Sequence, residues 1–214
     1  MSFLKKYGFY FLLLGVLSDF LTPYILGLFY PELNQMTMMM SVFGDVTSPV
    51  RGAFLVWSVV SGAFFVLALP AIYQFSSKTS KSLAIFMTLS IALYAIGDCI
   101  FTGLFSINTK QLTGDFSTWI HNVGSGIGYT GFLLFPLFLV ILYWKNGEKT
   151  YSKFLFVLLL LSATSAGIYS FAKIPEVNYL PILNQLGFLQ RLSYFFNYLP
   201  IAVFSVDQIR KGHN

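Results

Sequence analysis

Asp19, Asp98 and Arg191 are ionisable residues set inside long apolar runs, and they are where this chain's chemistry is most concentrated. A charged side chain near a bilayer centre costs at least ~2.5–3.5 kcal/mol, so such residues normally pair, line a wet cavity or exchange protons. Asp98 shares a four-residue spacing with Ser90, Tyr94 and Thr102, which puts them on one face of a helix. His121, Ser125 and Tyr129 repeat that spacing. Gln190, Ser193 and Asn197 form a further stripe beside Arg191, Tyr194 and Tyr198, and Ser162 with Ser165 adds a polar edge. One reading is a buried Asp98–Arg191 structural pair, with Tyr and Ser satisfying the remaining donors. The other is a binding site, favoured because two acids facing one Arg leave polarity that scaffolding does not require. In that reading Arg191 anchors an anion and Asp98 orients Arg191, with Asp19 as the alternative partner; Tyr94, Tyr129 and Tyr194 line the walls. His121 is then either a helix cap at headgroup level or a titrating group above the acid layer.

The elements that must position these residues are six hydrophobic runs: Tyr7–Tyr30, Gly52–Phe75, Ser82–Phe105, Val123–Trp144, Phe154–Ile174 and Ile182–Val206. Each reaches the roughly 20 residues a helix needs to cross a ~30 Å hydrocarbon core. The 214 residues are 56% hydrophobic and only 10% charged, so the spans and their connections use up nearly the whole chain as one domain, 1–214. The expected fold is therefore all-α, a polytopic membrane bundle of six transmembrane helices. Lys5, Lys6, Lys78, Lys81, Lys145, Lys149, Lys153, Arg210 and Lys211 fall at the termini and in alternate connections. By the positive-inside rule both termini are cytoplasmic. The net charge of +5 is thus a topology signal and calls for no nucleic-acid partner. The first run continues past Asp19 with no small-x-small cleavage site, which reads as a retained helix and not a signal peptide.

The external connections are the longer ones, Pro31–Val50 and Ser106–Asn122. The first carries Met36, Met38, Met39 and Met40, a composition suited to a loop folded over the bundle as an adaptable lid, or to a plain interfacial loop. Thr47-Ser48-Pro49 reads as a helix start with Ser48 as cap. Gly124 and Gly128 stand at small-xxx-small spacing for close helix packing. A metal site is not expected, because one His and scattered acids match no ligand pattern; no cofactor motif is present either. Cys99 reads as a small packing residue.

From Gly15 to Trp144 the chain resembles a bacterial six-helix membrane family catalogued as domain of unknown function 998. The likeness rests on Tyr24, Tyr30, Ser41-Val42-Phe43-Gly44 with Ser48-Pro49, Gly62, Ile96-Gly97 and Gly103-Leu104-Phe105. That family's third helix usually leads into a Phe-Pro-x-Asp turn and later a His. Here the turn is Phe105-Ser106-Ile107-Asn108, followed by His121, so Pro and Asp are replaced. The resemblance implies a fold and a topology in a bacterial cytoplasmic membrane, and no activity.

The residues themselves favour binding of a membrane lipid or small amphiphile in an outer-facing polar pocket. A proton-linked transporter using Asp19 and Asp98 requires a polar path continuing inward, against which Leu83–Leu89 is mostly apolar. A lipid-modifying enzyme requires His121 to work with Asp98 or Asp45. An assembly protein requires no ligand at all.

Overall fold

The computed structural model describes residues 2–110, 115–177 and 179–212; His213 lies outside them. Apolar runs of this length fold as helices because only a helix satisfies every backbone N–H and C=O within the segment when no water is at hand. The helices are α1 (Ser2–Gly27), α2 (Arg51–Ser77), α3 (Lys81–Leu104), α4 (Phe116–Lys145), α5 (Lys149–Ala172) and α6 (Leu186–Lys211). No strand occurs among the described residues. The chain is an all-α polytopic membrane bundle.

Five of the helices, α1 to α5, are long and apolar enough to cross a membrane by composition. α6 is as long but carries Gln190, Ser193 and Asn197, which are buried within the bundle, and Arg191, which is buried against the loop that follows α1. Its polarity is thus covered by protein. Each helix packs against its neighbour in sequence, and α6 returns to α1 to close the ring. Gly147, at φ 82°, makes the tight turn from α4 into α5.

Several ends differ from the expected spans. α2 begins at Arg51 with Val50 at its cap position; the Ser48 hydroxyl accepts the Val50 N–H at 3.3 Å, in the turn just before the helix. α4 begins seven residues before Val123, at Phe116, because the Asp115 carboxylate accepts the Thr118 N–H at 3.1 Å and caps a turn of mixed polarity that hydropathy does not register. α6 starts later than Ile182 and runs on to Lys211.

α3 and α4 meet backbone to backbone. A Cβ on Gly97 would collide with the Gly124 carbonyl, and one on Gly128 with the Asp98 amide nitrogen. The expected small-residue face of α4 therefore has its partner, and the contact falls beside the acid of interest. At the same level α3 opens into a π-helical stretch, Tyr94–Phe101.

At the loop end, Asp45 ties two connections together. Its carboxylate accepts from Thr47 N–H and Thr47 Oγ1 at 2.8 and 2.6 Å and from the Thr109 N–H at 2.8 Å, while its backbone bridges to Ile107. Burial alone would raise its pKa, but these hydrogen bonds outweigh burial and hold it at about 2. Arg51 reaches the same turn, donating from Nε to Ser106 Oγ at 2.7 Å.

The placement of the two ends relative to the cell is open to a direct check. Cys99 is 1% exposed and gives little background. A cysteine introduced at Lys110 is expected to react with an impermeant reagent from outside, and one at Lys149 is not; the reverse pattern overturns the positive-inside assignment.

Candidate functional site

The polar stripes converge, though not with the pairings their spacing implied. Asp19 in α1 accepts from Tyr94 of α3 and from Tyr198 of α6, the latter at 2.8 Å, and the two tyrosine hydroxyls lie 2.8 Å apart. Cys99 Sγ is a weak donor to the same carboxylate oxygen at 3.5 Å. Asp98 accepts from Ser125 of α4 and, at 2.6 Å, from Tyr194 of α6. The π-helical turn is what divides these roles. A regular helix would stack Tyr94 and Asp98 on one face; the wider turn sends Tyr94 and Cys99 to Asp19 and leaves Asp98 for Ser125 and Tyr194.

Both acids keep surface on a cavity of about 60 Å³ that also touches Thr22, His121, Gln190 and Tyr194. This deep space shares Ser41, His121, Ser125, Gln190 and Tyr194 with a wider vestibule of about 450 Å³. Tyr129, Tyr169 and Lys173 stand around the vestibule, with Tyr129 stacked on Tyr194 at 5.3 Å and the Lys173 ammonium 4.3 Å from the Tyr169 ring centre. Toward the lysine-rich end the cavity stops. Tyr94 stacks on Phe132 at 4.2 Å and meets Phe65 edge-on at 5.2 Å, and beyond them Ile91, Met87, Phe135 and Phe204 are fully buried.

The expected Asp98–Arg191 pair is not formed, and Asp19 does not replace Asp98 as partner. Arg191 makes no ion pair among the described residues. Its Nη1 donates instead to the carbonyls of Gln35, Met38 and Gly187 at 2.8, 3.1 and 2.9 Å. Arg191 thus fastens the Met-rich connection onto the start of α6. The Phe188 N–H to Met36 carbonyl bond, 2.8 Å, and the Met40 N–H to Gln190 Oε1 bond, 2.7 Å, complete the fastening. The physical reason is reach: depth along the membrane places Arg191 level with Asp98, but its side chain leaves α6 toward α1 and the loop, whose backbone carbonyls compete for it. Gln35 and Met38 act through main-chain oxygens, which no side-chain pattern reveals.

Of the residues singled out in the sequence, Asp19, Asp98, His121, Tyr129 and Tyr194 border the connected cavities, Tyr94 lies beneath as a donor to Asp19, and Arg191 stands apart. His121 is 2% exposed and its Nδ1 donates to the carbonyl of Phe105, the C-cap residue of α3, at 2.7 Å; it lies inside α4 and is not that helix's cap, which is Asp115. No carboxylate pairs with it among the described residues, which leaves the acid–base arrangement with Asp98 or Asp45 unassembled. Tyr169 and Lys173 escaped the sequence reading because each lies in or next to an otherwise apolar segment. No group of His, Cys, Asp and Glu suited to a metal ion occurs among the described residues.

No curated protein and no solved structure matches the chain. A family model described as "Protein of unknown function (DUF998)" matches residues 13–207, which extends the likeness through α5 and most of α6, and the chain belongs to that family.

Proposed function

We propose that this membrane protein holds a lipid or other small amphiphile in the cavity at its loop end, on the outer side of a bacterial cytoplasmic membrane. The observation that carries the reading is that Asp19 and Asp98, from separate helices, reach one cavity that is hydroxyl-rich at its walls, open to a vestibule and closed below by apolar side chains. Two carboxylates set within the membrane-spanning helices would be costly as scaffolding alone. The apolar floor favours one-sided binding over carriage across the membrane, since a proton or substrate path would need polar groups in the core that holds Phe65, Phe135 and Phe204. The aromatic vestibule suits the apolar part of an amphiphile, and Asp98, Ser125 and Gln190 its polar head. Met39 and Met40, held by bonds from Tyr169 of α5 and to Gln190 of α6, form a flexible-sided cover.

Gly126 provides the test. It borders the vestibule, and a Cβ added there meets nothing within 4 Å. Gly126→Phe is expected to fill the vestibule, abolish retention of lipid carried through purification, as read by native mass spectrometry, and leave the melting temperature within about 2 °C, as expected for a substitution that disturbs no packing. Tyr129→Phe, which removes only the hydroxyl bonded to Ser193, is expected to weaken retention without unfolding the bundle. If both variants hold the same molecule as fully as the parent, the cavity is not a binding site and the reading falls.

A further inference from the structure

We propose a second site, separate from the central cavity: a groove between α1 and α6 that takes the phosphate of an anionic membrane lipid, with Arg191 as its anchor. Arg191 is only 7% exposed, and its Nη1, with two hydrogens for three carbonyls, is fully committed to the loop and to Gly187. Its Nε and Nη2 are buried with no partner. These two nitrogens form one edge of the guanidinium, whose parallel N–H bonds match two oxygens of a phosphate. Leaving charged donors unsatisfied is expensive in any protein interior and more so beside lipid, where no bulk water can answer them. The acids do not answer them either, since Asp19 is engaged by Tyr94 and Tyr198, and Asp98 by Ser125 and Tyr194.

The space next to Arg191 shows what could. One small void of about 10 Å³, shared with Asp19, is water-sized and cannot take a phosphate. The other is a groove of about 290 Å³ bounded by Tyr24, Gln35, Met36, Phe188, Leu192 and Phe195. Tyr24, Met36, Phe188 and Phe195 are exposed on the outside of the helix ring, the surface that meets lipid. Arg191 lies five residues into α6, about 7.5 Å from its start at ~1.5 Å per residue, which keeps it near the loop end of the bundle. A single cation at the base of an otherwise apolar groove fits an amphiphile lying with its chain along Leu192 and Phe195 and its phosphate on Arg191, once the side chains that cover the free guanidinium edge move aside. Inorganic phosphate would satisfy the cation and leave the apolar walls unused.

The test uses the full chain in detergent, offered phosphatidylglycerol or diacylglycerol with the same acyl chains, with bound lipid counted by native mass spectrometry. The expected result is one phosphatidylglycerol retained about tenfold more strongly than diacylglycerol, a difference that a bidentate charged contact can supply, and not displaced by millimolar inorganic phosphate. Leu192→Trp, which fills the groove without touching the loop fastening, is expected to lower that retention about tenfold. Arg191→Lys keeps a charge but loses the forked edge and should lower it too; if this variant fails to fold, Leu192→Trp decides alone. Gly126→Phe should leave it unchanged, which separates this site from the central cavity. Equal retention of the two lipids, displacement by free phosphate, or full retention by Leu192→Trp overturns the proposal.

Discussion

Gly128→Ala is expected to destabilise the bundle by about 3 kcal/mol, the upper range for forcing extra volume into a packed interior. The added methyl would collide with the Asp98 amide nitrogen and lie 2.7 Å from the Asp98 Cβ. Both obstacles are fixed to the α3 backbone, so no rotamer change relieves them and the two helices must part. Parting them also pulls Ser125 away from the Asp98 carboxylate, so loss of stability and loss of the site's geometry arrive together. Gly126 on the same helix is the matched control: with nothing within 4 Å of its Cβ, alanine there is expected to be neutral or to stabilise by up to ~1 kcal/mol through helix propensity. Thermal unfolding of the two variants in the same detergent checks this. Equal stability of Gly126→Ala and Gly128→Ala would mean that α3 and α4 do not meet as closely as described.

That contact also marks how far the sequence could be read. Gly124 and Gly128 announce a close approach through spacing alone, but neither names its partner, and Gly97 becomes the partner only once α3 lies against α4. The six helices were legible because hydropathy over twenty residues is a strong signal. The acids, His121, Tyr129 and Tyr194 were legible because polar residues in apolar runs are costly. What remained hidden depends on helix phase. A stripe at four-residue spacing assumes a regular helix, and the π-helical turn at Tyr94–Phe101 shifts the facing residues, giving Tyr94 to Asp19 while Asp98 looks to Tyr194. Depth could be estimated from residue counts, but direction around the axis could not. Arg191 was therefore matched to an acid at its own level when its arm runs to the carbonyls of a loop more than 150 residues away in sequence.

Arg191→Met is expected to cost about 2–4 kcal/mol, because the carbonyls of Gln35 and Met38 lose a charged donor in a place where water cannot easily replace it. The loss should be local in origin. Backbone amides of residues 36–40 should exchange hydrogen faster, since only the Met40 bond to Gln190 and the Met36 carbonyl's bond to Phe188 would still hold that segment to α6. A buried ion pair would produce a loss of similar size, so the single variant does not distinguish the two arrangements. The double-mutant cycle with Asp98→Asn does. If Arg191 serves the loop and Asp98 serves Ser125 and Tyr194, the two residues share no partner and their effects should add within about 0.5 kcal/mol. If they were paired, either change alone would strand the other charge at ~3–5 kcal/mol, and the second change would then cost little. Additive energies, with faster exchange confined to the Arg191 variant, are the expected outcome; a coupling of several kcal/mol would restore the ion pair and remove the case for an unengaged guanidinium edge at the lipid groove.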